Sequence, residues 1–279
     1  LDHCKFTLCS ARYGGAIWIM YAGNGTELAG KVTDTTFLYC TAERDGGAVY
    51  LKINQPKIQT FSFEGCTFES NLAGQEGGAI YVIARDQLTI QKCNFTLNSA
   101  KTQGSSIWLE IGWKAKNDKG NTVTLNDNIF TFTPTKDTSS NVYIATPDNT
   151  DASTYKNANL NIGGCTFSTT TSSDVKGFKH LEIFEKLQFE SIKFTKCNCV
   201  QQGVETLSVP DVAHPVNNFN FNCDPNGQCV PGTPITLPPP VKPDLDGYIS
   251  HESMMKANQS IKRDISTQAS KQRKMVVLF

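Results

Sequence analysis

Few side chains in this sequence stand at spacings that support catalysis. Acid–base work on a polysaccharide needs two carboxylates fixed on one face, or a carboxylate-bound calcium beside a basic group. The pattern stacks no such cluster, and the acidic triplet Asn149-Thr-Asp151 stands alone in an irregular stretch. His3, His180, His214 and His251 are scattered, without nucleophile or metal spacing. No glycine loop of the phosphate-binding kind is present. The chain is therefore expected not to be an enzyme, and to hold no metal and no cofactor.

The cysteines are more informative. Ten occur in 279 residues, many for a cytosolic chain and few for a disulfide scaffold. Cys223-Asp-Pro-Asn-Gly-Gln-Cys229 brackets a turn-rich step and reads as a local disulfide; no second Cys or His pair at zinc spacing accompanies it. Sequons stand at Asn24, Asn94 and Asn258 and are candidate glycosylation sites. Together these features place the chain outside the cell or on its surface. A formal net charge of zero argues against a nucleic-acid binder. Apolar runs such as 16–22 are too short to span a bilayer, so membrane attachment would need a segment outside this chain. The sequence opens at Leu1 inside a repeat, without an initiator Met or a leader, which suggests a fragment or a processed piece.

The elements that would position any site come from that repeat. A recurring Phe falls at Phe6, Phe37, Phe68, Phe95, Phe130, Phe167 and Phe194, at intervals of 31, 31, 27, 35, 37 and 27 residues. Three residues later stand Cys9, Cys40, Asn71, Asn98, Thr133, Thr170 and Cys197; five residues later come mostly small residues such as Ala11, Ala42, Ala73 and Ala100. A glycine-rich turn follows, as in Gly46-Gly47 and Gly77-Gly78, then a strand-like run such as Ala79-Ile-Tyr-Val82. Another alternating run precedes the Phe, as in Leu88-Thr-Ile90, Val123-Thr-Leu125, Leu160-Asn-Ile162 and Leu181-Glu-Ile183. A repeat of this length without a helix cannot bury its own apolar face, but stacked copies can. The expected fold is all-β: a right-handed parallel β-helix of about seven coils, about 4.8 Å apart and roughly 30 Å long. The handedness follows the rule for parallel connections.

Alternation also assigns faces. In the post-glycine strand the aliphatic pairs point inward and share a face. One aromatic per coil, Trp18, Tyr50, Tyr81, Trp108 and Tyr143, then points outward. An exposed ladder of rings is a candidate binding surface for sugar or protein; rings packed on one another would merely stabilise the sheet. Cys4, Cys66, Cys93 and Cys165 lie two before the Phe. Cys66/Cys93 and Cys9/Cys40 would stack one coil apart, within the Cα range of a disulfide. Strand direction works against the bond, so buried free thiols are the expected state.

Phe-x-x-Asn coupled to Gly-Gly-Ala-Ile, intact over residues 68–81, resembles the repeats of the chlamydial polymorphic outer membrane proteins and of related repeat proteins in some protists. Gly14-Gly15-Ala16-Ile17 and Gly46-Gly47-Ala48-Val49 carry the second half of the motif, and Phe95–Asn98 the first. The resemblance implies a pectin-lyase-like right-handed β-helix displayed on a surface, with adhesion as its activity. It covers residues 4–109 well and 110–209 weakly, and no C-terminal membrane barrel of the chlamydial kind is visible. Asn149-Thr-Asp151 resembles one polygalacturonase motif, but that family's Asp pair, Gly-His-Gly and Arg-Ile-Lys are missing, so the match reads as chance.

The expected domains are repeats over 1–209, a Cys-bracketed cap over 210–230, a Pro-rich linker over 231–247 and a basic tail over 248–279. The tail carries six Lys/Arg against two Asp/Glu, with a weak helical stripe. The leading functional expectation is a surface-exposed or secreted adhesion module for glycans or proteins of a host or neighbouring cell. The alternatives are a carbohydrate-active β-helix enzyme and a spacer without a ligand.

Overall fold

The computed structural model describes residues 1–21, 28–53, 59–84, 87–111, 122–133, 140–145, 158–169, 179–183, 189–195, 197–200, 207–208, 212–214 and 220–221. The chain divides into two compact units, Leu1–Val241 and Lys242–Phe279. The second unit, with the expected basic tail, lies outside the described residues, as do Cys223, Cys229, Asn24, Asn258 and Asn149-Thr-Asp151.

Every described element is a strand, and the strands stack as a parallel β-solenoid. Up to Val200 consecutive strands enter different sheets, while equivalent strands of successive repeats pair in parallel. In the phenylalanine sheet Phe6, Phe37, Phe68, Phe95, Phe130 and Phe167 are register partners in turn. Their rings stack with centroids 5.3, 4.8, 4.9, 5.0 and 5.0 Å apart. A short sheet follows, with Ala11, Ala42, Ala73 and Ala100 in register. The post-glycine sheet aligns Ile17, Val49, Ile80, Ile107 and Val142, and two residues on Ile19, Leu51, Val82, Leu109 and Ile144. The sheet preceding the Phe aligns Val32, Phe63, Ile90, Leu125 and Ile162. Inward residues of these sheets form one continuous core. Each fully buried aliphatic or Phe side chain contributes about 1.5–3 kcal/mol through burial.

The glycine pair does two separate jobs. Gly77 has φ +65°, the left-handed conformation that turns the chain. At Gly78 a Cβ would collide with the backbone carbonyl of Ser105 in the next coil. Between sheets the backbone is closed by buried asparagines. Asn71 accepts the Cys40 N–H at 2.9 Å and donates to the Phe37 carbonyl at 3.0 Å and to Asn98 Oδ1 at 2.9 Å. Asn98 in turn accepts the Asn71 N–H and donates to the Phe68 carbonyl.

Two expectations for the late repeats are corrected. Phe194 is not the Phe of a further repeat: it pairs with Ile162, in the sheet preceding the Phe, and Cys199 takes the place beside Phe167. Cys197 therefore stands two before the repeat position, not three after it. Leu181-Glu-Ile183 belongs to the post-glycine sheet, where Leu181 pairs with Val142. The cause is shared: intervening segments vary in length, so counting from one Phe to another misassigned the strands once the glycine pair had faded. Beyond residue 206 the direction reverses. Leu207–Ser208, Val212–His214 and Asn220–Phe221 join three of the sheets antiparallel. This is one way of blunting an open sheet edge.

Candidate functional site

The aromatics expected to form a ladder are register partners: Trp18, Tyr50, Tyr81, Trp108 and Tyr143 align across adjacent strands. They leave the core, as alternation requires, and four of them form an apolar cluster of their own with Ile83 and Ala145. Tyr50 and Tyr81 stack at 4.9 Å, Tyr81 and Trp108 at 4.3 Å, and Trp108 and Tyr143 at 6.4 Å. Of the two arrangements expected for these rings the packed one is present: these four are only 6–9% exposed. Burial pushes the Tyr50 phenol up to about 12 and raises that of Tyr81 further. The buried Trp108 Nε1–H has no hydrogen-bond partner. These rungs build a second layer on the sheet.

Trp18 behaves differently. Although it is the register partner of Tyr50, the ring that packs there belongs to Tyr13, 5.1 Å away and tilted by 58°. The Arg44 and Arg12 guanidinium groups lie 5.4 and 5.7 Å from the Tyr13 ring centre, within cation–π range. Arg44 is further held by its Nε–H donating to Gln75 Oε1 at 3.1 Å. Trp18 is left 54% exposed, and Met20, two residues on along the same face, 51% exposed. Beneath this end lies the buried Asp45, whose carboxyl is raised by burial against the pull of the Glu76 backbone and the Arg44 charge. Sequence reasoning missed Tyr13, Arg12 and Arg44. The available signal was an aromatic before the first glycine pair, where the next three repeats carry Asp45, Glu76 and Gln103.

The other candidate residues are placed as follows. Asn94 is exposed on the strand Asn94–Thr96, its Oδ1 accepting the Thr96 hydroxyl at 2.9 Å. Asp2, His3 and Asp34 are the group among the described residues whose ligand atoms lie close enough to meet at an ion, and all are exposed. The two His3 ring nitrogens already face Asp2 at 2.9 Å and Asp34 at 3.8 Å, so contacts with the imidazole account for the group. His180 is buried beside the Phe167 ring, at 5.5 Å, and burial lowers its pKa to about 3.

Comparison with known proteins singles out the most regular coil. Residues 65–83 match the model of the Chlamydia polymorphic membrane protein repeat. The chain carries that repeat. The matched stretch runs from the left-handed Gly65 through Phe68, Asn71 and the glycine pair into the post-glycine strand, and so covers three of the four strands of one coil. The repeat match and the parallel solenoid together fit a surface-type β-helix protein. No curated protein and no solved structure matches the chain significantly.

Proposed function

We propose that the chain is a non-enzymatic, surface-displayed adhesion module that binds glycans or proteins of a neighbouring cell, outside the cell that makes it. The observation carrying this reading is the apolar patch of Trp18 and Met20, beside the Arg12–Tyr13–Arg44 stack. An exposed indole offers a flat face to a sugar ring or an apolar side chain, and large exposed apolar groups mark binding sites. Location at the surface is supported by the match to a repeat named from a membrane protein family. The test is a glycan array and a cell-binding assay with the wild-type chain, Trp18→Ala and Trp108→Ala. Binding lost in Trp18→Ala alone, with the fold intact, supports the module. Binding that ignores Trp18 overturns this site. The buried middle rungs favour a spacer for that part of the ladder, and a chain that binds nothing in either assay would extend the spacer reading to the whole.

A further inference from the structure

The described cysteines are not scattered through the core. Apart from Cys199, which holds a phenylalanine position, they stand in two vertical columns traced by the backbone ladder. One column, two residues before the Phe, runs Cys4, Thr35, Cys66, Cys93, Asn128, Cys165, Cys197. The other, three residues after the Phe, runs Cys9, Cys40, Asn71, Asn98. Six of the eight described cysteines, all six free thiols in this structure, thus fall into vertical neighbours: Cys9/Cys40, Cys66/Cys93 and Cys165/Cys197. Polar residues separate the pairs, so no run of three thiols arises. Asn71 accepts the Cys40 N–H and Asn128 accepts the Cys93 N–H, each at 2.9 Å. Asn128 Nδ2 also reaches Cys165 Sγ at 3.9 Å.

We propose that these three pairs are sites of inter-coil disulfide formation that staple each coil to its neighbour. Coil spacing sets the Cα atoms about 4.8 Å apart, inside the range a disulfide accepts. The objection from strand direction does not apply, because none of the six cysteines lies in a strand. Each occupies a corner between sheets, and Leu8, Tyr39, Gly65, Lys92 and Gly164, each immediately before one of them, have positive φ. In each pair the two thiols lie close enough to perturb one another's ionisation.

The oxidant is a disulfide, of a small thiol or of a protein. The thiolate of one cysteine of a pair attacks one of its sulfurs and releases the first reduced thiol. The thiolate of its vertical neighbour then displaces the second, closing the inter-coil disulfide. Two electrons pass to the oxidant, and the two protons end on its reduced thiols. Because Cys66 and Cys93 are each 1% exposed, the exchange belongs to coil docking rather than to the finished solenoid.

The test is refolding in a mixture of oxidised and reduced glutathione, alkylation under denaturing conditions and mass mapping without reduction. Trypsin leaves Cys9, Cys40, Cys66 and Cys93 on separate peptides, 6–12, 32–44, 58–85 and 93–101. The expected links are 6–12 to 32–44 and 58–85 to 93–101, with Cys165–Cys197 shown by a second protease. Free thiols throughout, or links between other partners such as Cys40 and Cys66, would overturn the pairing. Reductant should lower the thermal midpoint of the oxidised chain, and an unchanged midpoint would overturn the stapling. Cys66→Ser should leave Cys93 alkylatable while Cys9–Cys40 persists; loss of both links would mean that the pairs are not independent staples.

Discussion

Trp18 and Trp108 hold the same position of the same repeat, yet one is 54% exposed and the other 6%. Their strands share a sheet and their side chains leave the core on the same side. The frame fixes the direction of a side chain, while its neighbours fix its exposure. Trp108 lies between Tyr81 and Tyr143, whereas the rung beside Tyr50 is occupied by Tyr13 instead of Trp18. The core shows the same contrast. Phe68 has a stacked ring on each side and is fully buried, while Phe6 stacks on Phe37 alone and is partly exposed. In a solenoid each coil is buried by its neighbours, so stability is a sum of nearest-neighbour terms.

The largest effect expected from this contrast is at Phe68. Phe68→Ala should cost about 3–5 kcal/mol in urea unfolding, through lost burial and the cavity left behind. Phe6→Ala should cost roughly half as much, since fewer contacts are lost. Equal costs would break the comparison between the first coil and the middle ones.

Trp108 probes the second layer. Trp108→Ala should cost roughly 3 kcal/mol, the lower part of the range for a buried Trp. Trp108→Phe keeps a stacked ring and removes the N–H that has no partner, so its cost should stay below about 1.5 kcal/mol. If the two variants unfold at the same urea concentration, the ring stack contributes nothing to the layer.

His180 tests the interior without disturbing the ladder. Burial lowers its pKa from 6.5 to about 3, so between those values the unfolded chain binds the proton and the folded chain does not. Its contribution is complete above pH 6.5 and is lost as pH falls toward 3. At pH 4.5 the loss should be roughly 2–3 kcal/mol. It is measured as the difference in pH dependence between the wild-type chain and His180→Phe. Parallel pH profiles for the two would show that His180 is not buried in solution.

The coil was legible where the glycine pair is intact. From residues 4 to 109 the intervals, the inward aliphatics and the glycine turn were readable, because steric demands such as those at Gly77 and Gly78 leave a small-residue pair in the sequence. Two other corners of the coil were not foreseen. Leu8, Tyr39, Ser70 and Leu97 adopt positive φ at one, residue types that announce no common turn; at the other stand His3, Asp34, Gly65, Lys92, Asp127 and Gly164, mostly types that tolerate positive φ, a signal that went unread. The late strands slipped because Phe194 imitates the repeat while Cys199 holds its place. The candidate site was half legible. Alternation told which residues leave the core, but burial of the ladder depends on ring-on-ring packing, and capture of the first rung by Tyr13 is a choice between competing rings.

The smallest stability effect carries the sharpest functional test. Trp18→Ala removes a side chain that is mostly in water and stacks on no neighbour in the ladder, so its cost should stay within about 0.5 kcal/mol. If the patch is the binding surface, the same variant should lose at least tenfold in affinity for whatever ligand the array identifies, which is about 1.4 kcal/mol of binding energy. Trp108→Ala should reverse this order, weakening the fold while leaving the affinity of the folded fraction unchanged. A variant pair in which both tryptophans changed stability and binding in the same proportion would mean that exposure does not separate the two roles. The contrast drawn from Trp18 and Trp108 would then describe packing alone.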